Sequence, residues 1–411
     1  MKSKKNLLLY FMLGGIFLGI FCGWNFGKEM EVVAWIGDIF LDTLKMLVIP
    51  LIVSSMIMGI SGLGDIRKVG KTGGITLIYF CGTTALAVIT GMIMVNLLQP
   101  GVGVELTSGI PERVAGKADT GITDIMKSFV SPNLIESMAK MDILPIIVFS
   151  LLFGGALTIL GDKGKPVIAF FEGANLAIMK MVHLVMLISP IGVFALISSK
   201  LGAAGGGDLF LAELMRIGKY ALTVISALLI HSVVVLTGLL VFFARKNPWD
   251  YFKNASEALT TAFSTASSSA TLPVTMECAV EKNNISPKAV QFVLPIGATV
   301  NMDGTAMYES VAAIFIAQMM GIDLSMMEQA VIFLTATLAA VGAAGIPEAG
   351  LVTMVMVLQS VGLPLEGIGM LLSIDWFLDR CRTTVNVWGD SVGSAVVAAL
   401  EEKYVEEGRS K

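Results

Sequence analysis

Apolar residues along this chain come in long runs, rather than in the alternation of a strand or the narrow stripe of a surface helix. Six such runs open the sequence, at about 6–27, 33–61, 70–98, 141–161, 166–199 and 208–244. Each is as long as the roughly 18–20 residues that a helix needs to cross hydrocarbon. The basic residues sit mostly in the connections and are unevenly shared. If the runs alternate across a bilayer, Lys2, Lys4, Lys5, Arg67, Lys68, Lys71, Lys163, Lys165, Arg245, Lys246 and Lys253 fall on one side, against Lys28, Arg113, Lys117 and Lys200 on the other. The bias of Lys and Arg toward the cytoplasm then puts the N-terminus and the 245–253 connection inside, and the long 99–125 connection outside. The opening segment, basic and then apolar from Leu7 to Cys22, imitates a signal peptide but lacks a small-residue cleavage site. It reads as a retained first helix.

Beyond residue 253 the pattern changes. Runs at 254–281 and 326–364 are broken near their centres, the first by Ser264-Thr-Ala-Ser-Ser-Ser-Ala-Thr-Leu-Pro273, the second by Gly342-Ala-Ala-Gly345-Ile-Pro347-Glu-Ala-Gly350. Helical halves of about 12 residues reach about 18 Å, short of a core of about 30 Å, and so predict re-entrant hairpins rather than spans. Backbone freed at such tips is tolerated only against protein or a wet cavity, and half-helix N-termini there offer N–H groups to an anion. A further interruption, Asn301-Met-Asp-Gly-Thr305, falls inside the run 288–319. It predicts unwound helix with carbonyls turned toward a cation. Paired broken segments in a polytopic chain point to the solute site of a transporter.

Composition agrees with a membrane setting: 55% of the 411 residues are hydrophobic and 15% charged, where a soluble domain carries about 25% charged residues. The net charge of -4, with no basic face, excludes nucleic acid. Cys22, Cys81, Cys278 and Cys381 are scattered without pairing motifs, and His183 and His231 lie far apart in apolar runs. The thiols are expected to be free and in the core, and no zinc site is expected. Gly64 to Thr72 resembles a phosphate loop but has five residues between its glycines where four are required, and no strand precedes it. ATP is therefore excluded as an energy source, leaving ion gradients or the solute's own gradient.

The chemistry concentrates near the C-terminus. At about 100° per helical residue, Asp375, Asp379, Arg382, Asn386 and Asp390 fall at roughly 0°, 40°, 340°, 20° and 60°, one narrow face of a helix. Burying four charges in a lipid-bound helix costs about 2.5–3.5 kcal/mol each on insertion scales, so such a face implies a task. Asp303, Asp375, Asp379 and Asp390 against Arg380 and Arg382 leave a local charge of -2, or -3 with Glu309. An anionic solute then requires bound cations, which is a physical argument for cation coupling. Arg382 can fork two hydrogen bonds to a carboxylate while Asp379 accepts from an ammonium. The pair reads an acidic amino acid.

At these residues the chain resembles the dicarboxylate/amino acid:cation symporter family, which includes the excitatory amino acid transporters. The resemblance covers nearly the whole chain and is carried by Ser267-Ser-Ser-Ala-Thr-Leu-Pro273, Asn301-Met-Asp-Gly-Thr305, Ala344-Gly-Ile-Pro347 and the segment from Asp375-Trp-Phe-Leu-Asp379 through Arg382 and Thr383 to Asn386. It implies an all-α membrane protein of eight transmembrane helices and two re-entrant helical hairpins, with inverted repeats, working as an elevator within a homotrimer. Residues 1–69 and 104–200 would form the scaffold, and 70–103 and 201–411 the transport domain. Within the latter lie hairpin 1 (about 252–283), the seventh helix (about 288–319), hairpin 2 (about 326–366) and the eighth helix (about 367–400).

By matching positions, the resemblance implies that Arg382 and Thr305 bind the solute's side-chain carboxylate, Asp379 its amino group, and Thr383 and Asn386 its main-chain end. Ser267, Ser268 and Ser269, and the tip formed by Ala344, Gly345, Ile346, Pro347 and Gly350, would supply backbone contacts and a gate. Sodium would be held by Asp390 with Asn301, Gly297 and Asn386; by Thr299 and Met302 with carbonyls at Ala340, Val341 and Ala343; and by Asp303 with Asn301, Thr83 and Thr84. Phe80 stands in place of a common tyrosine, and Glu348 in place of glycine or glutamine. Ala266 replaces the arginine of archaeal members, Arg380 supplies one from the last helix, and Glu309 replaces a glutamine, all as in the animal transporters. That pattern predicts proton cotransport and potassium counter-transport beside sodium, with no organic cofactor.

Other readings are weaker. A C4-dicarboxylate carrier of the family usually lacks an acid at Asp379, and a neutral amino acid carrier lacks the arginine. An intramembrane aspartyl protease brings its acids from two helices and needs a Gly-x-Gly-Asp motif that is missing here. A solute-gated ion channel stays open as an alternative. Short external loops suggest a prokaryotic inner membrane with both termini cytoplasmic.

Overall fold

Backbone groups that cannot reach water must bond within their own segment, and in the computed structural model they do so as helix, with no strand among the described residues. The structure describes residues 2–61, 70–102, 127, 129–140, 143–203, 207–343 and 349–409. Its helices are α1 (Lys2–Phe26), α2 (Ala34–Ser61), α3 (Gly70–Leu98), the short α4 (Leu134–Lys140), α5 (Ile143–Ile159), α6 (Lys165–Leu187), α7 (Ser189–Ala203), α8 (Gly207–Ile230), α9 (Pro248–Thr265), α10 (Ser268–Glu277), α11 (Pro287–Val300), α12 (Asp303–Met319), α13 (Met326–Gly342), α14 (Ala349–Ser360) and α15 (Ile368–Arg409). α8 continues without a break through π-helical turns to Ala244. By length and composition Thr72–Leu98 and Met215–Ala244 are each able to cross a bilayer.

Local sequence sets the ends. Asn247 caps α9 by accepting from the amides of Trp249 and Asp250, with Pro248 at the first helical position, where its missing N–H costs nothing. Ser267 caps α10 through the Ala270 amide at 3.1 Å. Ser325 and Glu328 form a reciprocal capping box at the start of α13.

The observed breaks differ from expectation in three places. The run 166–199 is two helices, because Pro190 cannot continue the ladder; the chain turns at Ile188 and restarts with Pro190 in the first turn of α7. The ten-residue interruption at 264–273 shrinks to Ala266 and Ser267, and Pro273 sits inside α10. The Asn301–Thr305 interruption is confined to Asn301 and Met302, with helix resuming at Asp303. The long last helix also runs past residue 400, to Arg409. The phosphate-loop resemblance falls largely outside the described residues, and Gly70 to Thr72 open α3.

Large apolar side chains lie on the surface while a set of polar and charged ones is buried in an otherwise apolar core. Phe17, Phe21, Trp35, Leu97 and Phe242 face outward, while Asn301, Asp303, Glu309, Arg382 and Asp390 are buried. Every residue from Asn301 to Ala317 is buried, so α12 is the core of the fold. Helices α3, α8, α13, α14 and α15 surround it, while α1, α2, α5, α6 and α7 pack mainly on one another. The cysteines are free, but of the four only Cys278 is buried in the core; Cys22 and Cys381 are half-buried and Cys81 is exposed.

Candidate functional site

The five stripe residues of α15 turn inward together, all buried. The Arg382 Nη2 donates to Asp379 Oδ1 at 2.9 Å and stands 3.0 Å from Asp375 Oδ1, an ion pair without an aligned hydrogen bond. Its guanidinium carbon lies 3.8 Å from the centre of the Tyr308 ring, a cation–π arrangement that helps to hold a desolvated charge. The Nε and Nη1 donors have no hydrogen-bond partner. A Cβ on Gly350 would stand 3.0 Å from Nη1 and 3.3 Å from the Thr305 methyl. Arg382, Thr305 and the start of α14 therefore converge. Gly304 explains how α12 and α15 approach so closely: a Cβ there would lie 2.6 Å from the Arg382 carbonyl oxygen.

A second cluster forms where α11 gives way to α12. Asn301 Nδ2 donates to Asp390 Oδ1 at 3.0 Å, and the Thr83 hydroxyl donates to Asn301 Oδ1 at 3.2 Å. Thr84 donates to Asp303 Oδ1 at 2.8 Å. Asn386 accepts from the Gly304 amide at 2.7 Å and places Nδ2 3.2 Å from the Thr305 hydroxyl and 3.3 Å from Met302 Sδ. Gly297 lies against Asp390, since a Cβ would meet its Oδ1 at 2.5 Å. Helices α3, α11, α12 and α15 thus bring together Thr83, Thr84, Gly297, Asn301, Met302, Asp303, Asn386 and Asp390.

The other expected residues are less uniform. Ser267 and Ser268 are buried at the start of α10, whereas Ser269 is exposed. Thr383 is buried on α15. Thr299 is exposed and donates to Ile296 in its own helix. Ala340 and Ala343 are buried at the end of α13 and Val341 is partly so, where the last carbonyls of a helix lack intrahelical donors. Ala344, Gly345, Ile346, Pro347 and Glu348 lie outside the described residues. Glu309 is buried on α12, its oxygens accept no hydrogen bond, and Thr353 stands beside it. Arg380 is half-buried.

Two features escape the sequence reading. His231, in the first π turn of α8, is fully buried with Nε2 3.2 Å from Asp303 Oδ2. A carboxylate acceptor makes Nε2 the protonated nitrogen. Asp375, to which the sequence assigned no partner, is a counter-charge to Arg382. Only the tertiary fold brings His231 to Asp303, so no local signal marked it.

Asp303 and Asp390 each present one carboxylate, the first beside the Thr84 hydroxyl and the His231 imidazole and the second beside the Asn301 amide, so the anionic ligands offered are carboxylate oxygens. That chemistry suits a hard cation rather than a transition metal. Among the described residues no cluster of three or more His, Cys, Asp and Glu side chains occurs. Beside these sets stands a buried guanidinium with two further donors, which suits a carboxylate.

Residues 8–400 match the model of the sodium:dicarboxylate symporter family. The chain is 37% identical to excitatory amino acid transporter 3 of Oryctolagus cuniculus, over 98% of this chain and 87% of that protein. It is 36% identical to excitatory amino acid transporter 1 of Ambystoma tigrinum, over 98% and 85%, and 36% to excitatory amino acid transporter 2 of Homo sapiens, over 98% and 81%. A family match over nearly the whole length, on a helical fold with a buried cluster of charges, makes this chain a member of the sodium:dicarboxylate symporter family.

Proposed function

We propose that the protein is a sodium-coupled symporter that takes up acidic amino acids, glutamate or aspartate, across a plasma membrane. The observation that carries the reading is Arg382: fully buried, held at Nη2 by two aspartates, and with Nε and Nη1 left as donors beside Thr305 and Gly350. The solute's side-chain carboxylate takes these donors and the Thr305 hydroxyl. Its ammonium goes to Asp379, and its main-chain end to Thr383 and Asn386, with backbone contacts from 267–269 and the 344–350 tip. Sodium ions at Asp390 and Asp303 offset the negative charge of the site, so the anion binds well only after the cations. Ordered binding of this kind couples the two gradients, because the solute gains affinity only in the cation-loaded state.

In this reading α9–α10 and α13–α14 are the re-entrant hairpins, α1, α2, α5, α6 and α7 the scaffold, and the α12-centred group the elevator's moving part. The separate packing of the two groups supports that division. Glu309 carries a proton, with Arg380 serving potassium return, and both termini face the cytoplasm. The family's description leaves a dicarboxylate carrier as the competing reading, against which Asp379 argues.

The test is uptake of labelled aspartate, glutamate, succinate and alanine into proteoliposomes under an inward sodium gradient. Sodium-dependent uptake of the two acidic amino acids is expected, and Arg382→Ala should weaken their binding at least about 30-fold, the effect of breaking one buried charge pair. Succinate uptake indifferent to aspartate, or uptake indifferent to sodium, overturns the reading.

A further inference from the structure

Away from the site just described, a groove of about 650 Å³ lies between α8, α9 and α15, within the roughly 300–1,000 Å³ of ordinary ligand sites. Its walls are almost wholly apolar. Leu229 and Val233 of α8 form one side, Phe263 and Phe252 of α9 the other, and Trp249 and Trp388 close one end. The rings are ordered: Phe252 stacks on Trp249 at 6.2 Å and meets the Trp388 edge at 6.0 Å. Trp388 is tied to the Ser232 carbonyl in a π turn of α8, the kind of helical irregularity that tends to mark functional places.

The groove opens on a face that water would not tolerate. Val233, Val234 and Phe242 beside it are exposed on α8, and in a membrane symporter such a surface meets acyl chains. The end near Trp249 lies at the 245–253 turn, the connection that its basic residues assign to the cytoplasmic side. There Lys253 Nζ stands 5.1 Å from the Trp249 ring centre, and Arg245 is exposed in a left-handed turn. Lys246 is committed to the Asn283 carbonyl, and Asp250 is the acid of the turn. Along α9, Trp249 to Phe263 spans about 21 Å, more than the roughly 15 Å of one leaflet's hydrocarbon.

We propose that this groove is a binding site for an anionic phospholipid of the cytoplasmic leaflet, one acyl chain lying between α8 and α9 and the phosphate held by Arg245 and Lys253. Charge complementarity at one end and bilayer exposure along the side commit it to that occupant. The site rests on the symporter reading only for its membrane setting and orientation, not for the identity of the solute.

The experiment is native mass spectrometry of the full-length protein extracted from vesicles of equal phosphatidylglycerol and phosphatidylcholine. Wild type is expected to retain phosphatidylglycerol preferentially. Arg245→Gln and Lys253→Gln should each lower the ratio about fivefold, the effect of one juxtamembrane basic charge. Filling the groove with Leu229→Trp and Val233→Trp should remove both retained lipids. Equal retention of the two lipids by wild type overturns the proposal, as does undiminished retention by the filled variant. Cross-linking of Trp249→Cys to a second copy in vesicles also overturns it, because the face would then be a protein contact. Sodium-dependent aspartate binding, read in parallel, reports folding. If the filled variant loses it, the two surface charge variants decide alone, and its loss in wild type would defeat the transport reading without touching the lipid result.

Discussion

Arg382 is a fully buried guanidinium with Asp375 and Asp379 at 3.0 and 2.9 Å and a tyrosine ring beneath it. Removing either partner would leave a charge uncompensated, which is why buried pairs are costly to break even where their net stabilisation is small. Asp303 is held similarly, by Thr84 on one oxygen and His231 on the other. Partners behind a cation ligand typically govern affinity by 10–100-fold. The sodium concentration for half-maximal solute binding should therefore rise about tenfold in His231→Ala and less in His231→Gln, whose amide can still donate. A merely structural role would show no such rescue in a sodium titration. Glu309 is a second point of decision. Glu309→Gln is expected to transport acidic amino acids without the pH dependence of wild type, and unchanged dependence on pH and internal potassium would remove the proton-carrying role.

Among the elements, the short breaks do most to shape the site. Two residues, Asn301 and Met302, separate α11 from α12 and free Asn301 to reach both Thr83 and Asp390. At the turn between α9 and α10, Ala266 adopts φ +50°, a conformation that costs an L-residue with a Cβ roughly 1–2 kcal/mol. Ala266→Gly should raise unfolding stability in detergent by about 1 kcal/mol, read as a higher melting temperature. An unchanged or lowered value would mean that the strain is absent or that the methyl packs usefully. The breaks were legible because Gly, Pro, Ser and Asn interrupt apolar runs, but those at 264–273 and 301–305 are shorter than expected. Helix tolerates Pro273 and Ser268–Ser269 once neighbouring helices supply the burial that propensity alone does not.

At the scale of the whole molecule, one group of helices is built around the buried α12 and another packs mainly on itself. Self-packing of that kind suits a static frame, and the outward apolar residues of α1 and α2, Phe17, Phe21 and Trp35 among them, are surface for lipid or further copies. Native mass spectrometry in mild detergent is expected to give three chains per particle. A stable monomer that still transports in proteoliposomes would remove the homotrimer from the reading.

The sequence by itself determined the membrane class, the helical periodicity and the single face shared by Asp375, Asp379, Arg382, Asn386 and Asp390, since these depend on local spacing and on the cost of charge in hydrocarbon. It also carried the family, through motifs contiguous in the chain. Only the tertiary structure decided which groups of different helices meet. The Tyr308 ring of α12 came to lie 3.8 Å from the Arg382 guanidinium of α15. His231 became a partner of Asp303 although 72 residues separate them. Such pairings follow from how α8, α12 and α15 pack, and periodicity within one helix holds no information about the helix that will lie against it.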